Sequence, residues 1–116
     1  MNAQWPSFCR PYDNDSPASC ASLLVGAPIQ TVPQLVERAN PIIYITRDDP
    51  VILIAHGLAD CQVPAAQSQI LYDALRAAGV RATLNLVPGA GHGDVTFYLS
   101  QASVALDFLD QQLHAL

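Results

Sequence analysis

The sequence predicts one α/β domain, built on a small parallel sheet of two or three strands with flanking helices. The length of 116 residues suits a single hydrophobic core. Because 51% of the residues are hydrophobic and only 13% are charged, the chain can bury a core rather than remain disordered. From Val51 onward, apolar runs of strand length alternate with amphipathic stretches of helix length, and this order favours parallel strands joined by right-handed crossovers.

The first half of the chain predicts short elements. Residues 1–15 are rich in turn formers and predict an irregular segment. Ser16, followed by proline, predicts the N-cap of a short helix that Gly26 ends. A second short helix is expected over residues 33–39, because a proline starts it and an Asn-Pro pair follows it. Residues 42–46 fit either a strand or a connecting segment.

The second half gives stronger signals. Val51–Ala55 is a continuous apolar run, typical of a strand covered on both faces. A helix is expected to start near Pro64 and end at Gly79, and a second strand is expected over Ala82–Val87. A final helix should follow, with a buried stripe at every third or fourth position, formed by Ala102, Leu106, Leu109, Leu113 and Leu116.

Charge and cysteine usage narrow the classes of partner and compartment. The net charge of -5 argues against nucleic acid and anionic membrane surfaces as partners. No apolar stretch reaches the length of a membrane span, and the N-terminus resembles no targeting segment. Three cysteines form an odd set without metal-ligand spacing, so free thiols, a reducing compartment and a cytoplasmic location are predicted.

Two loops carry the residues that suit catalysis. Residues 56–63 follow the first strong strand, and residues 88–94 follow the second. Because the carboxyl ends of neighbouring parallel strands meet at one sheet edge, Asp60 of the first loop should reach His92 of the second. A carboxylate beside an imidazole selects the tautomer that acts as a general base and stabilises the imidazolium that forms.

The same loops resemble a known family. The stretches HGLADCQVP and VPGAGHG are similar to the C-terminal part of α/β-hydrolase-fold esterases and lipases, of the prolyl-oligopeptidase-like or acyl-esterase type. The resemblance extends over residues 16–113 and implies that residues 16–116 are the C-terminal part of such a domain. It implies carboxylester hydrolysis of a small ester substrate without a metal or cofactor, with Asp60 as the triad acid and His92 as the triad base.

The chain departs from this family at the nucleophile, which should lie upstream of the acid in a G-x-S-x-G elbow. No serine in the sequence has glycines two positions to either side. Cys61 is a candidate replacement, although Asp60 and Cys61 are adjacent and would have to engage different atoms of one imidazole. A second alternative is a metal-bound water held by ligand-type residues of the two loops, namely His56, Asp60, His92 and Asp94.

The sequence is therefore compatible with two functions. The chain is either a carboxylester hydrolase with an Asp-His pair and an unidentified nucleophile, or a non-catalytic, truncated hydrolase remnant that folds as an oligomer or binds a partner. His56 is expected to hydrogen-bond loop backbone rather than to act in catalysis. In both cases a small sheet with an unpaired edge predicts a homo-oligomer.

Overall fold

The computed structural model describes residue 9, residue 13 and residues 15–114. The predicted irregular segment at residues 1–15 thus falls almost wholly outside the described residues, as does Leu116. The chain divides into two compact units, Tyr12–Ile45 and a larger unit of Met1–Pro11 with Thr46–Leu116. Among the helices in the described ranges, none is long and apolar enough to cross a membrane.

The smaller unit contains two short α-helices, α1 (Cys20–Val25) and α2 (Pro33–Ala39). The N-cap of α1 is Ser19 rather than the predicted Ser16, because Ser19 is extended and its side chain accepts the Ser22 N–H. Gly26 ends α1 in the left-handed conformation, with φ of 79°, as predicted.

The bounds of α2 match the predicted residues 33–39. Residues 42–46, predicted as either a strand or a connecting segment, form no strand, and residues 41–44 are a short 3-10 helix. The side chain of Asn40 accepts the N–H of Ile42 at its start, at 3.1 Å. A second 3-10 helix, Ile29–Thr31, lies between α1 and α2.

The larger unit confirms the predicted α/β class. Strands β1 (Ile52–Gly57) and β2 (Ala82–Val87) pair in parallel, and helix α3 (Ala66–Ala77) connects them. The register runs from Ile52 opposite Ala82 to Gly57 opposite Val87. Strand β1 continues two residues beyond the predicted Ala55, which places His56 and Gly57 at the carboxyl end of the strand.

The core of the larger unit lies between α3 and the sheet and extends to the end of β2. Its buried apolar residues among those described are Leu75, Val80, Val87 and Ala90. At Gly57 a Cβ atom would collide with the carbonyl oxygens of Ala90 and Gly91. Only glycine therefore lets the end of β1 approach the loop after β2 this closely.

Helix α4 (Val95–His114) confirms the predicted final helix, but the predicted buried stripe is wrong. The side of α4 with lower exposure carries Phe97 and Gln101, and Gln101 accepts a hydrogen bond from Asn85 of β2. Three leucines of the predicted stripe are mostly exposed: Leu106 at 67%, Leu109 at 52% and Leu113 at 67%. Because α4 is apolar on more than one side, the stripe did not identify the side that packs.

Candidate active site

The loops after β1 and β2 meet at the carboxyl edge of the sheet, as predicted. The backbone N–H of Leu58 donates to the carbonyl of Val87 at 2.9 Å, and that of Ala59 donates to the carbonyl of Ala90 at 2.8 Å. These two bonds hold the loops side by side. They bring Nδ1 of His92 to 2.8 Å from Oδ2 of Asp60, although the two residues lie 32 positions apart in the sequence.

The carboxylate of Asp60 is buried and fully engaged. Asp60 is only 4% exposed, and its Oδ1 accepts the backbone N–H groups of Gln62 at 2.7 Å and Val63 at 2.8 Å. Burial by itself would raise the pKa of Asp60. The hydrogen bonds from Val63, from the His92 ring and from Gln62 outweigh burial and lower this pKa below its ordinary value. Asp60 is therefore held as a carboxylate.

The imidazole of His92 has one nitrogen engaged and one available. Nδ1 faces the Asp60 carboxylate, which can only accept, so Nδ1 carries the proton of the neutral ring. Nε2 then has a free lone pair, and no residue in the described ranges forms a hydrogen bond with it. The side chain is 50% exposed. This arrangement can accept a proton at Nε2 while Asp60 stabilises the resulting imidazolium.

Asp94 organises the loop that carries His92. Its Oδ1 accepts the N–H of Phe97 at 2.9 Å, which caps the start of α4, and its Oδ2 accepts the N–H of Gly91 at 2.8 Å. These two backbone hydrogen bonds lower the pKa of Asp94. The sequence indicated Asp94 only as a possible metal ligand, although an aspartate directly before a helix is a recognised capping signal.

His56 lies beside Asp60 and is nearly buried, with its side chain 11% exposed. Its Nε2 is 2.9 Å from the carbonyl oxygen of Val63 and 3.2 Å from Oδ2 of Asp60. Its Nδ1 is 2.6 Å from Oγ of Ser68. The expected hydrogen bond from His56 to loop backbone is thus present. The contact of Ser68 with His56 is not predictable from the sequence, because a serine within an amphipathic helix carries no signal of its own.

The prediction of free thiols is wrong for two of the three cysteines, because Cys9 and Cys61 form a disulfide. Their Cα atoms are 5.2 Å apart, within the usual range for such a bond. The sulfur of Cys61 therefore cannot form the thiolate that would attack a substrate, and the prediction of Cys61 as a candidate nucleophile is wrong. Cys20 is free and exposed. The cytoplasmic location rested on free thiols and stays a prediction.

An open cleft of about 240 Å³ adjoins the Asp60–His92 pair. His92 and Asp60 line it together with Ala55, Phe97 and glycines of the two loops. The cleft can hold a small group next to the His92 ring. As for the alternative metal site, no group of three or more His, Cys, Asp or Glu residues in the described part of the chain is arranged to hold a metal ion.

Comparison with known proteins identifies relatives of the chain. The BD-FAE family model matches residues 4–75, which include Asp60 and end before His92. The chain is 36% identical over 72 residues to Esterase LipC of Mycobacterium tuberculosis (strain ATCC 25618 / H37Rv), a match that covers 61% of this chain and 18% of that protein.

A solved structure matches more of the chain. A truncated form of a carbohydrate esterase from gut microbiota superposes with a TM-score of 0.80 at 35% identity, over 84% of this chain and 35% of that one. The chain thus spans about a fifth of the length of the curated relative and about a third of the solved structure.

Proposed function

Because the chain belongs to the BD-FAE family of esterase-type hydrolases, we propose that it carries the acid and the base of a carboxylester hydrolase, as Asp60 and His92. The observation that supports this function best is the 2.8 Å contact between Nδ1 of His92 and Oδ2 of Asp60. The other oxygen of Asp60 is fixed by two backbone N–H groups, and the His92 ring lines an open cleft.

In the proposed reaction Nε2 of His92 removes a proton from a hydroxyl group or a water molecule as its oxygen bonds to the ester carbonyl carbon. Asp60 stabilises the imidazolium that results. The ring then returns the proton to the leaving alkoxide as the ester C–O bond breaks, which yields an alcohol and an acyl product. The oxyanion hole of such hydrolases includes the backbone N–H that follows the nucleophile of the G-x-S-x-G elbow, and no serine of this sequence lies in such an elbow. With water as the nucleophile the reaction is therefore slow, since the loss of one such donor costs about 2.7–4 kcal/mol. The substrate class is a small ester.

A comparison of the wild type with His92→Ala on a short-chain p-nitrophenyl ester tests this function. We expect the wild type to exceed the buffer rate and His92→Ala to fall to it, because the base is lost. His114→Ala is the matched control, because His114 is an exposed histidine at the end of α4. Equal rates for the wild type and His92→Ala would contradict the proposal.

The alternative function is that of a non-catalytic, truncated hydrolase remnant that folds as an oligomer or binds a partner. The exposed apolar side of α4 favours it, because such surfaces mark interaction sites. If the wild type and His92→Ala both match buffer in the ester assay, while both are folded, this alternative replaces hydrolysis.

We also propose that the chain forms a homo-oligomer through α4. Its outward side carries Leu99 at 73% exposed, Leu106 and Leu113 at 67% each, and Leu109 at 52%. Burial of such side chains against a second copy removes apolar surface from water.

Analytical ultracentrifugation tests the homo-oligomer. At micromolar concentration we expect a dimer or a larger species for the wild type, and a monomer for the double variant Leu106→Glu/Leu113→Glu, because charges on this surface oppose burial. Gln111→Glu adds a charge at another exposed position of α4 and should leave the assembly intact. A wild type that sediments as a stable monomer would rule out the homo-oligomer.

A further inference from the structure

The proposed reaction gives no role to His56, yet the described residues engage both of its ring nitrogens. It stands at the carboxyl end of β1, with Ser68 on one side and the Asp60 loop on the other. A histidine placed only to fill space would not need three polar partners. These three polar contacts indicate that His56 has a structural role in the Asp60 loop.

The partners of His56 fix which nitrogen carries its proton. Nε2 faces the carbonyl oxygen of Val63 at 2.9 Å and Oδ2 of Asp60 at 3.2 Å. Both oxygens can only accept, so Nε2 is the donor to both. Nδ1 of the neutral ring then accepts the hydroxyl proton of Ser68, from the first turn of α3, at 2.6 Å. The two oxygens thus select the tautomer of His56 that donates toward the loop, and Ser68 stabilises that tautomer and orients the ring.

These hydrogen bonds close a ring around the Asp60 carboxylate. Val63 donates its N–H to Oδ1 of Asp60 and accepts Nε2–H of His56 at its carbonyl. The same Nε2–H reaches Oδ2 of Asp60, the oxygen that His92 contacts. Within the described residues, Oδ1 has only backbone N–H partners, whereas Oδ2 has only the two imidazoles.

We propose that His56 is a positioning residue, which holds Oδ2 of Asp60 in line with Nδ1 of His92, and that Ser68 orients His56. The catalytic consequence rests on the proposed function, but the geometric one does not. With His56 in place, His92 is kept in the tautomer that leaves Nε2 free. Without it, Oδ2 depends on the half-exposed His92 ring alone, and the tautomer preference weakens.

The tautomer of His92 can be read directly from the ring nitrogen shifts of protein labelled with ¹⁵N-histidine, in multiple-bond ¹H–¹⁵N spectra at a pH where the ring is neutral. We expect a dominant Nδ1–H form in the wild type and a shift toward a mixture with the Nε2–H form in His56→Ala. His56→Gln should restore the wild-type pattern, because its amide nitrogen can donate from a position close to Nε2. The signals of His114 should stay constant throughout.

The serine gives a second test that leaves the histidine in place. Ser68→Ala removes the donor to Nδ1 and should shift the His92 tautomer in the same direction as His56→Ala. Ser68→Thr keeps the hydroxyl and should not. If His56→Ala does not fold, the comparison of Ser68→Ala with Ser68→Thr tests the positioning role instead. An unchanged His92 tautomer in the folded variants that lack the ring or the hydroxyl would overturn the positioning role.

The spectra separate this inference from the proposed function. If the tautomer shifts as expected but no protein hydrolyses the ester, the positioning role stands and the proposed hydrolysis fails. If the wild type hydrolyses the ester but the His92 tautomer is unchanged in His56→Ala, the hydrolysis stands and the positioning role fails. If both hold, the hydrolysis rate should fall in His56→Ala and recover in His56→Gln.

Discussion

Replacement of Asp60 by asparagine is expected to lower ester hydrolysis by on the order of 10²–10⁴-fold. Two backbone N–H groups converge on Oδ1, so the amide oxygen of the new side chain must occupy that position. The amide NH₂ then faces Nδ1 of His92, and the ring must place its proton on Nε2. A ring in that tautomer cannot accept a proton from the nucleophile. The amide also meets Nε2–H of His56, so two donors oppose each other.

The ester assay is the measurement for Asp60→Asn, with Asp107→Asn as the control. Asp107 is an exposed aspartate of α4, and its replacement makes the same change in charge and size. We expect the control to retain wild-type activity. If Asp60→Asn is folded and as active as the wild type, Asp60 does not orient the base.

The ionised carboxylate of Asp60 should also make the stability of the fold depend on pH. Because the pKa of Asp60 is lowered in the folded protein, its ionised form stabilises the fold at neutral pH. This contribution is present above the unfolded-state pKa of about 3.9 and is lost as the pH falls through the lower folded-state value. Thermal unfolding at neutral pH and below about pH 4 should therefore show a gap between the wild type and Asp60→Asn that narrows in acid. A gap that is independent of pH would contradict this account.

Loss of the Cys9–Cys61 disulfide is expected to lower the free energy of unfolding by about 4 kcal/mol. The bond joins residues 52 positions apart, and so it restricts the unfolded chain strongly. For a chain of this size that is a large part of the total stability. The double variant Cys9→Ser/Cys61→Ser should accordingly unfold at a much lower urea concentration than the wild type.

Cys20→Ser is the matched control for the disulfide variant, since Cys20 is free and exposed and its replacement should change stability by less than about 0.5 kcal/mol. Urea unfolding must be compared at one protein concentration, because self-association would add to stability. A reducing agent should lower the urea midpoint of the wild type to that of the double variant. It should leave the midpoint of the double variant unchanged. A wild type with the same urea midpoint before and after reduction would refute the prediction.

Local patterns predicted most of the fold. The bounds of β2 and α2 match their predictions because apolar continuity and a proline at the helix start are local signals. The side of α4 that packs on the sheet was not predictable, since Leu106 and Phe108 are equally apolar and only the position of the sheet distinguishes them. The N-cap of α1 is Ser19 rather than the predicted Ser16. Both serines suit a cap by type, and in the structure Ser19 has the extended backbone of an N-cap residue.

The candidate site was predictable where topology brings two strand ends together, as it does for Asp60 and His92. The disulfide was not predictable, because three cysteines permit three pairings and no local pattern joins Cys9 to Cys61. The contacts of Ser68 were equally hidden, because they depend on where α3 lies against the end of β1.

The disulfide also changes the covalent topology of the molecule. Because it joins Cys9 to Cys61, the whole unit Tyr12–Ile45 is contained in one closed covalent ring. A protease that cuts once inside that unit would leave both pieces in a single molecule of nearly unchanged mass. Only reduction of the disulfide would release the two pieces. Cys61, which follows Asp60 in the sequence, therefore also holds a cleaved chain together.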